Sequence, residues 1–395
     1  MTHEPRETIK FPSGVEIPQS RETYRYVATA QFTEGGSIEM VLGGINEYQV
    51  STGSSSGDHL LREDVKKFSL RLPTAIGDYR TTIALQRAKT AREAIRIMAD
   101  LTEKYGARTD NYILADPNEA WLWEEFQDRR WVAVRIPDDC FVVEANNRRI
   151  ANIDLEDTEN FMGSKDIVSF AVEHGLYDPD SGEPFSCAKA YSNRGVHMKF
   201  GKAWPKLNTR RIWRGIMLLA PSAHLDPEAN YFPLFVKPDR KLTPKDLLNV
   251  LRDHYQGTKY DLYAADRDQY KYSEMHLNKE RQYQLSPSWN RERILGISRS
   301  VTNWVAQLRS WLPNPIGGVL WGGVAASWAN AHIPWYVGIT KTPEPYNVGT
   351  NTCNRLSEYD SNSAYWVYRT VSSLVNLFWR NTIDEVQPVW KVALV

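Results

Sequence analysis

The chain has 395 residues, 42% hydrophobic and 24% charged, which fits a globular protein with one large core or two ordinary ones. Lys+Arg and Asp+Glu both number 48, so no net field draws in nucleic acid or an anionic membrane. No window of about 18 apolar residues is present to span a membrane as a helix, and the polar opening MTHEPRE lacks the apolar core of a signal peptide.

Residues 1–23 read as a loop, punctuated by Pro5, Phe11-Pro12-Ser13-Gly14 and Pro18, and the first strand-like run is 24–30. Residues 38–53 (IEMVLGGINEYQVSTG) read as two short strands around a glycine turn at 43–47. Thr90 and Glu93 form a capping box; Ala94, Ile95, Met98, Leu101 and Tyr105 then recur at helical spacing, and Gly106 ends the helix. Four apolar runs, 111–115, 120–124, 131–136 and 140–145, are split by turns too short for crossover helices, which predicts an antiparallel meander. Helices are expected at 166–174, 208–219, 243–254 and 364–379. Strands are expected at 316–321, 335–339 and 386–392, and 255–300 reads as an irregular insertion. This order argues for an α+β fold rather than βαβ alternation. The loop-like opening implies a chain cut from a longer one at its N-terminus, and the uncapped apolar end VQPVWKVALV (386–395) leaves a cut at its C-terminus open.

Walker, Rossmann, HExxH and CxxC patterns are absent, and the 8 histidines have no ligand spacing, so neither a metal nor a cofactor is expected. Cys140, Cys187 and Cys353 form no disulfide framework. Cys140 opens an apolar run and reads as a small buried hydrophobe. Asn46, in the glycine turn, is of a type that can aim an amide at a developing oxyanion; a plain hairpin turn accounts for the same residues.

Several strings share an order across about 40–370. They are GGINEY (43–48), the capped helix 90–106, WVAVRI with PDD (131–139) and VEANNRRI (143–150). NTRRIW (208–213), YQGTKYDL (255–262), GGVLW (317–321), IPWYVG (333–338) and YDSNSAYW (359–366) follow. Together they resemble the dipeptidase family of N-terminal-nucleophile hydrolases, related to secernins, penicillin V acylase and bile salt hydrolase. The resemblance implies a single domain over 1–395 with a four-layer αββα sandwich, two antiparallel sheets covered by helices. It implies dipeptide substrates, a homo-oligomer, and an N-terminal cysteine whose own α-amine serves as base. Asn46 would hold the oxyanion with a backbone N–H, Asn146 would position the reacting groups, and Arg211 would orient the amine or the substrate.

The chain departs from the family in one respect: no cysteine opens it. Thr2 would be exposed by loss of Met1, but the following HEPR cannot pair as a central strand. The nucleophile is therefore expected outside these residues, leaving the chain itself inactive. Two alternatives stay open: a non-catalytic, secernin-like binding or regulatory protein, and attack by an internal cysteine. The compartment reads as cytoplasmic as written, and as secreted or periplasmic if a leader has been clipped.

Overall fold

The computed structural model describes residues 7–31, 40–56, 76–106, 110–127, 129–192, 206–229, 231–261, 293–298, 300–347 and 359–392. The chain divides into two compact units, 1–202 with 308–318, and 203–307 with 319–395.

The first unit opens on a hairpin where the sequence predicted a loop. Strand β1 (Thr8–Lys10) pairs antiparallel with β2 (Glu16–Pro18). Ile9 stands opposite Ile17, and both bury with Phe11 against Ile76, Tyr79 and Ile83. Strands this short carry almost no local signal; burial of three apolar side chains makes them.

The unit's main element is a seven-stranded antiparallel sheet in which each strand pairs with its neighbour in sequence. The strands are β3 (Tyr26–Gln31), β4 (Met40–Asn46), β5 (Ser51–Ser56), β6 (Asp110–Ala115), β7 (Ala120–Gln127), β8 (Arg130–Ile136) and β9 (Phe161–Gly163). The expected meander is present in β6–β8. Of the glycine turn expected at 43–47, residues 43–46 are instead strand, and the chain reverses between Asn46 and Val50. Gly44 is required by strand packing: a Cβ there would meet the Ala28 Cβ and the Val27 carbonyl at 2.7 Å. The run 140–145 is also not a strand. A turn closes from the Cys140 N–H to the Pro137 carbonyl (2.9 Å), and residues 147, 149 and 150 beyond it bond to the Asn111 and Glu124 side chains of the sheet.

Between β5 and β6 lie α1 (Tyr79–Arg87) and α2 (Ala91–Tyr105). Thr90 caps α2 as expected, its hydroxyl accepting the Glu93 N–H at 3.1 Å, and Gly106 ends it at φ 86°; the Glu93 carboxylate, however, accepts the N–H of Lys89 (2.8 Å), one residue before the cap, rather than that of Thr90. These helices cover one face of the sheet, where Tyr112, Leu114, Trp121, Trp123, Trp131 and Ala133 meet Ala84, Ala88, Ile95 and Met98. Trp123 stacks on Trp131 with ring centroids 4.0 Å apart. Truncating either buried indole would cost about 3–5 kcal/mol. By alternation the opposite face carries Ser51, Gly53, Ser55, Asn111, Ile113, Leu122, Glu124, Phe126, Val132 and Val134. Helices α3 (Ile167–Glu173) and α4 (Cys187–Tyr191) follow, and Tyr191 of α4 meets Phe126 at 5.4 Å. Gly53 and Ser55 are half-buried and Ile113 is exposed, while Ser51 and Asn111 are buried, so the open part of this face is a strip at residues 53, 55 and 113.

The second unit contains α5 (Lys206–Leu219), α6 (Pro244–Arg252), strands β10 (Thr302–Gln307), β11 (Val319–Val324) and β12 (Ile333–Tyr336), then α7 (Ala364–Leu377) and α8 (Trp379–Val392). The three strands form an antiparallel sheet in the order given. Thr243 and Asp246 cap α6 as expected. Strand β10 was not predicted, and β11 starts later than expected because Asn314–Gly317 makes a helical turn. The strand expected at 386–392 is the end of α8. Ile383 and Val386, three residues apart, pack at helical spacing against Ala326, Trp328, Ala329 and Val375, and this burial overrides the β-branched composition. Of the expected irregular insertion, residues 262–292 and 299 lie outside the described residues. Antiparallel sheets with intervening helices make the whole an α+β fold. No helix among the described residues is long and apolar enough to cross a membrane.

Candidate functional site

Asn46 ends β4 with its side chain on the helix-covered face and 0% exposed. Its amide donates both protons, to the carbonyls of Leu85 (2.9 Å) and Ala88 (2.7 Å) at the end of α1. Its Oδ1 accepts the N–H groups of Tyr48 and Val50, each at 3.0 Å, and its own N–H donates to the Val50 carbonyl at 2.9 Å. An asparagine has three N–H bonds, and all three are used here. The expected oxyanion role therefore finds no uncommitted donor at Asn46. The residue instead ties a turn to a helix C-terminus, where carbonyls lack helical partners. The turn holds Gln49 at φ 65°, and the buried Gln49 side chain accepts the Arg309 N–H (2.8 Å) and donates to Asn314 Oδ1 (3.0 Å). Gly317 lies against it so closely that a Cβ would meet Gln49 Nε2 at 2.5 Å.

Asn146 lies on the opposite, open face. It stands at φ 54°, a left-handed conformation that Asn tolerates better than other non-glycine residues. It is half-buried, and its amide donates to Ser55 Oγ at 3.1 Å. Buried groups of β6 and β7 hold the loop around it. Glu124 accepts the N–H groups of Arg149 (2.6 Å) and Ile150 (3.0 Å). Asn111 donates to Glu144 Oε1 and to the Asn147 carbonyl, each at 2.9 Å, and its Oδ1 accepts from Arg148. Burial pushes the Glu124 carboxyl up to about 7, against the pull of the Arg148 guanidinium and the two backbone donors.

Glu125 points to the other face, as alternation requires. It pairs with the fully buried Arg80, whose guanidinium also reaches Thr102 and the Tyr112 hydroxyl (3.0 Å). Tyr112 donates to Asp78 at 2.7 Å. Burial holds Glu125 above the usual carboxylate range despite Arg80. This network lies among the core aromatics and the helices, so its role is structural. The sequence did not reveal either acid. Its one signal was an EE pair inside AWLWEEFQ, where alternation must bury both.

Arg211 lies in the second unit, on the first turns of α5, half-buried. Its guanidinium donates to Asn208 Oδ1 at 2.6 Å. Its neighbours are committed to acids: Arg210 pairs with Glu228 at 3.2 Å and lies over the Tyr260 ring, and Arg214 grips Asp253 with two bonds of 3.0 and 2.8 Å. The same unit buries His332 between Arg252 Nη2 (2.9 Å to Nδ1) and Asn303 Oδ1. Burial, and then the Arg252 charge, lower its pKa to about 3, so the ring is neutral; Nε2–H donates to Asn303 and Nδ1 accepts from Arg252.

Among the described residues neither thiol presents a nucleophile. Cys187 is fully buried in α4, and burial raises its thiol well above the ordinary value. Cys140 is half-buried and donates to Asp139 at 3.3 Å, and Cys353 lies outside the described residues. Among the described residues no cluster of three or more His, Cys, Asp or Glu side chains is arranged to hold a metal ion.

The model of peptidase family C69 matches residues 1–392. A probable dipeptidase of Latilactobacillus sakei is 28% identical over 370 residues, covering 92% of this chain and 70% of the relative. One from Salmonella dublin is 30% identical over 262 residues, covering 65% and 54%. A dipeptidase of Bifidobacterium longum is 27% identical over 399 residues, covering 94% and 69%. The chain thus spans between about half and seven tenths of the relatives it matches.

Proposed function

The chain belongs to peptidase family C69, and from that membership we propose that it is the body of a dipeptidase, which cleaves the amide bond of a dipeptide by attack of an N-terminal cysteine. The observation that carries this reading is the family match over 1–392, with relatives named dipeptidase. In the proposed reaction the thiol attacks the amide carbon and passes its proton to its own α-amine. That amine has a reference pKa of about 8, so part of it is neutral near pH 7. The leaving amine departs protonated, and water then hydrolyses the thioester, releasing the acid and restoring the thiol.

Asn146 is the positioning group we assign to the first unit. It is half-buried beside Ser55 of β5, on a loop fixed by buried bonds to Asn111 and Glu124. Arg211 is the one we assign to the second, with a guanidinium suited to a substrate carboxylate. Both assignments come from the family resemblance, residue by residue. Cys140, Cys187 and Cys353 are internal, and none has a free α-amine, so in this reading none attacks.

The test is hydrolysis of a panel of simple dipeptides by the natural full-length protein and by residues 1–395 alone. Turnover by the first and none by the second is expected. No turnover by the full-length protein across the panel would sink the proposal.

A further inference from the structure

We propose that Asn111 and Glu124 are positioning residues for Asn146, two side chains of the sheet that grip both limbs of the 143–150 loop. The inference rests on the reading of Asn146 given above, but its geometry stands alone.

Asn111 and Glu124 are direct cross-strand partners on β6 and β7, on the same face as Ser55. Both are essentially inaccessible, at 1% and 0% exposure. Each spends its whole side chain on the loop. Asn111 takes the limb leading to and through Asn146, by way of Glu144 Oε1 and the Asn147 carbonyl. Glu144 Oε1 also accepts the Asn147 N–H at 2.8 Å, closing a small ring on both sides of Asn146. Glu124 takes the limb leaving it, one oxygen for each of two successive N–H groups. Arg148 then returns to Asn111, and Arg149 to the Val143 carbonyl, so the two limbs are also tied to each other.

A left-handed residue is stable only where its surroundings over-determine it. Here that determination comes from the sheet rather than from the loop's own sequence. Charged groups facing Glu124 are Arg148, which attracts it, and Glu144, which repels it, both on the loop; the Cys187 thiol of α4 is neutral. Losing Glu124 takes the acceptor from two buried N–H groups, and losing Asn111 takes the donor from the Glu144 carboxylate and the Asn147 carbonyl, so the loop must shift to satisfy them. A shift of about 1 Å in a positioning group is enough to cost up to about a hundredfold in rate.

The experiment compares the natural full-length protein with Asn111→Ala, Glu124→Gln, Asn146→Ala and the double variant Asn111→Ala/Asn146→Ala. Two readouts are taken: amide hydrogen exchange of 143–150 against the α2 segment, and kcat and KM on a dipeptide. The expected result is faster exchange at 143–150 with α2 unchanged in both clamp variants, kcat lowered by about tenfold or more, and a double variant no slower than Asn146→Ala alone. Unchanged exchange at 143–150 would overturn the proposal, as would rate losses that simply multiply in the double variant. If Glu124→Gln fails to fold, Asn111→Ala alone carries both readouts. Absence of turnover in the parent protein would count against the dipeptidase reading only, and the exchange comparison would still uphold or overturn the clamp.

Discussion

Asn46 and Asn146 each sit where the chain changes direction beside an apolar run, and their sequence surroundings do not tell them apart. In the fold they occupy opposite faces of one sheet. Asn46 is turned toward the helices and has every polar atom bonded to the main chain around it. Asn146 is turned toward the open strip, in a backbone conformation held by other residues. The first asparagine holds structure in place; the second is held in place. A polar residue that does the holding cannot also meet a substrate, because its hydrogen bonds are already made.

The largest effect that separates them is on stability. Asn46→Ala orphans two buried carbonyls and two N–H groups and is expected to destabilise the protein by about 3–5 kcal/mol in denaturant melts. Asn146→Ala removes the bond to Ser55 at a half-buried position and should cost less, about 1 kcal/mol. Equal losses in the two would break the distinction. Gln49→Ala comes next. It releases the clasp on Arg309 and Asn314 and should cost about 1–3 kcal/mol, with faster hydrogen exchange confined to 308–318.

The two regions also differ in pH response. Glu124, under the Asn146 loop, has a folded pKa of about 7 against an ordinary 4.5. Its contribution to stability is full below about 4.5 and is lost as pH rises through about 7, because the folded state retains a proton that the unfolded chain has released. Glu124→Gln should remove that decline in melts taken from pH 4.5 to 8, and a decline that persists in the variant would exclude Glu124 as its source. His332, in the second unit, works in the other direction. Its folded pKa of about 3 lies below the ordinary 6.5, so its contribution is present above 6.5 and is lost as pH falls through about 3. The Asn46 turn contributes no titrating group to its own bonds, and its effect should hold across the range. The smallest effect expected is at the exposed Lys10–Glu16 pair, where Lys10→Ala should change stability by less than about 0.5 kcal/mol.

Much of this architecture is legible in the sequence where the signal is local. The Thr90–Glu93 cap, the spacing of Ala94, Ile95 and Met98, and the short turns of the β6–β8 meander fix their elements from a few residues each. The β1–β2 hairpin is invisible because its strands exist through contact with Tyr79 and Ile83, about seventy residues away in sequence. The end of α8 reads as a strand because Val and Trp favour one, until packing on Trp328 and Val375 decides otherwise. The ordered motifs single out the Asn146 loop but not what holds it. Asn111 and Glu124 look like ordinary strand residues until the register shows them side by side. Asn46 misleads for the same reason: the carbonyls that consume its amide belong to Leu85 and Ala88, which no spacing rule connects to it.

The most direct test of the account is dipeptide hydrolysis by the natural full-length protein carrying Asn146→Ala, measured beside its melting temperature. The account predicts kcat/KM lower by about tenfold or more with melting little changed, since the role it assigns to Asn146 is to position reacting groups rather than to hold the fold. Parental turnover in a folded Asn146→Ala variant would contradict it.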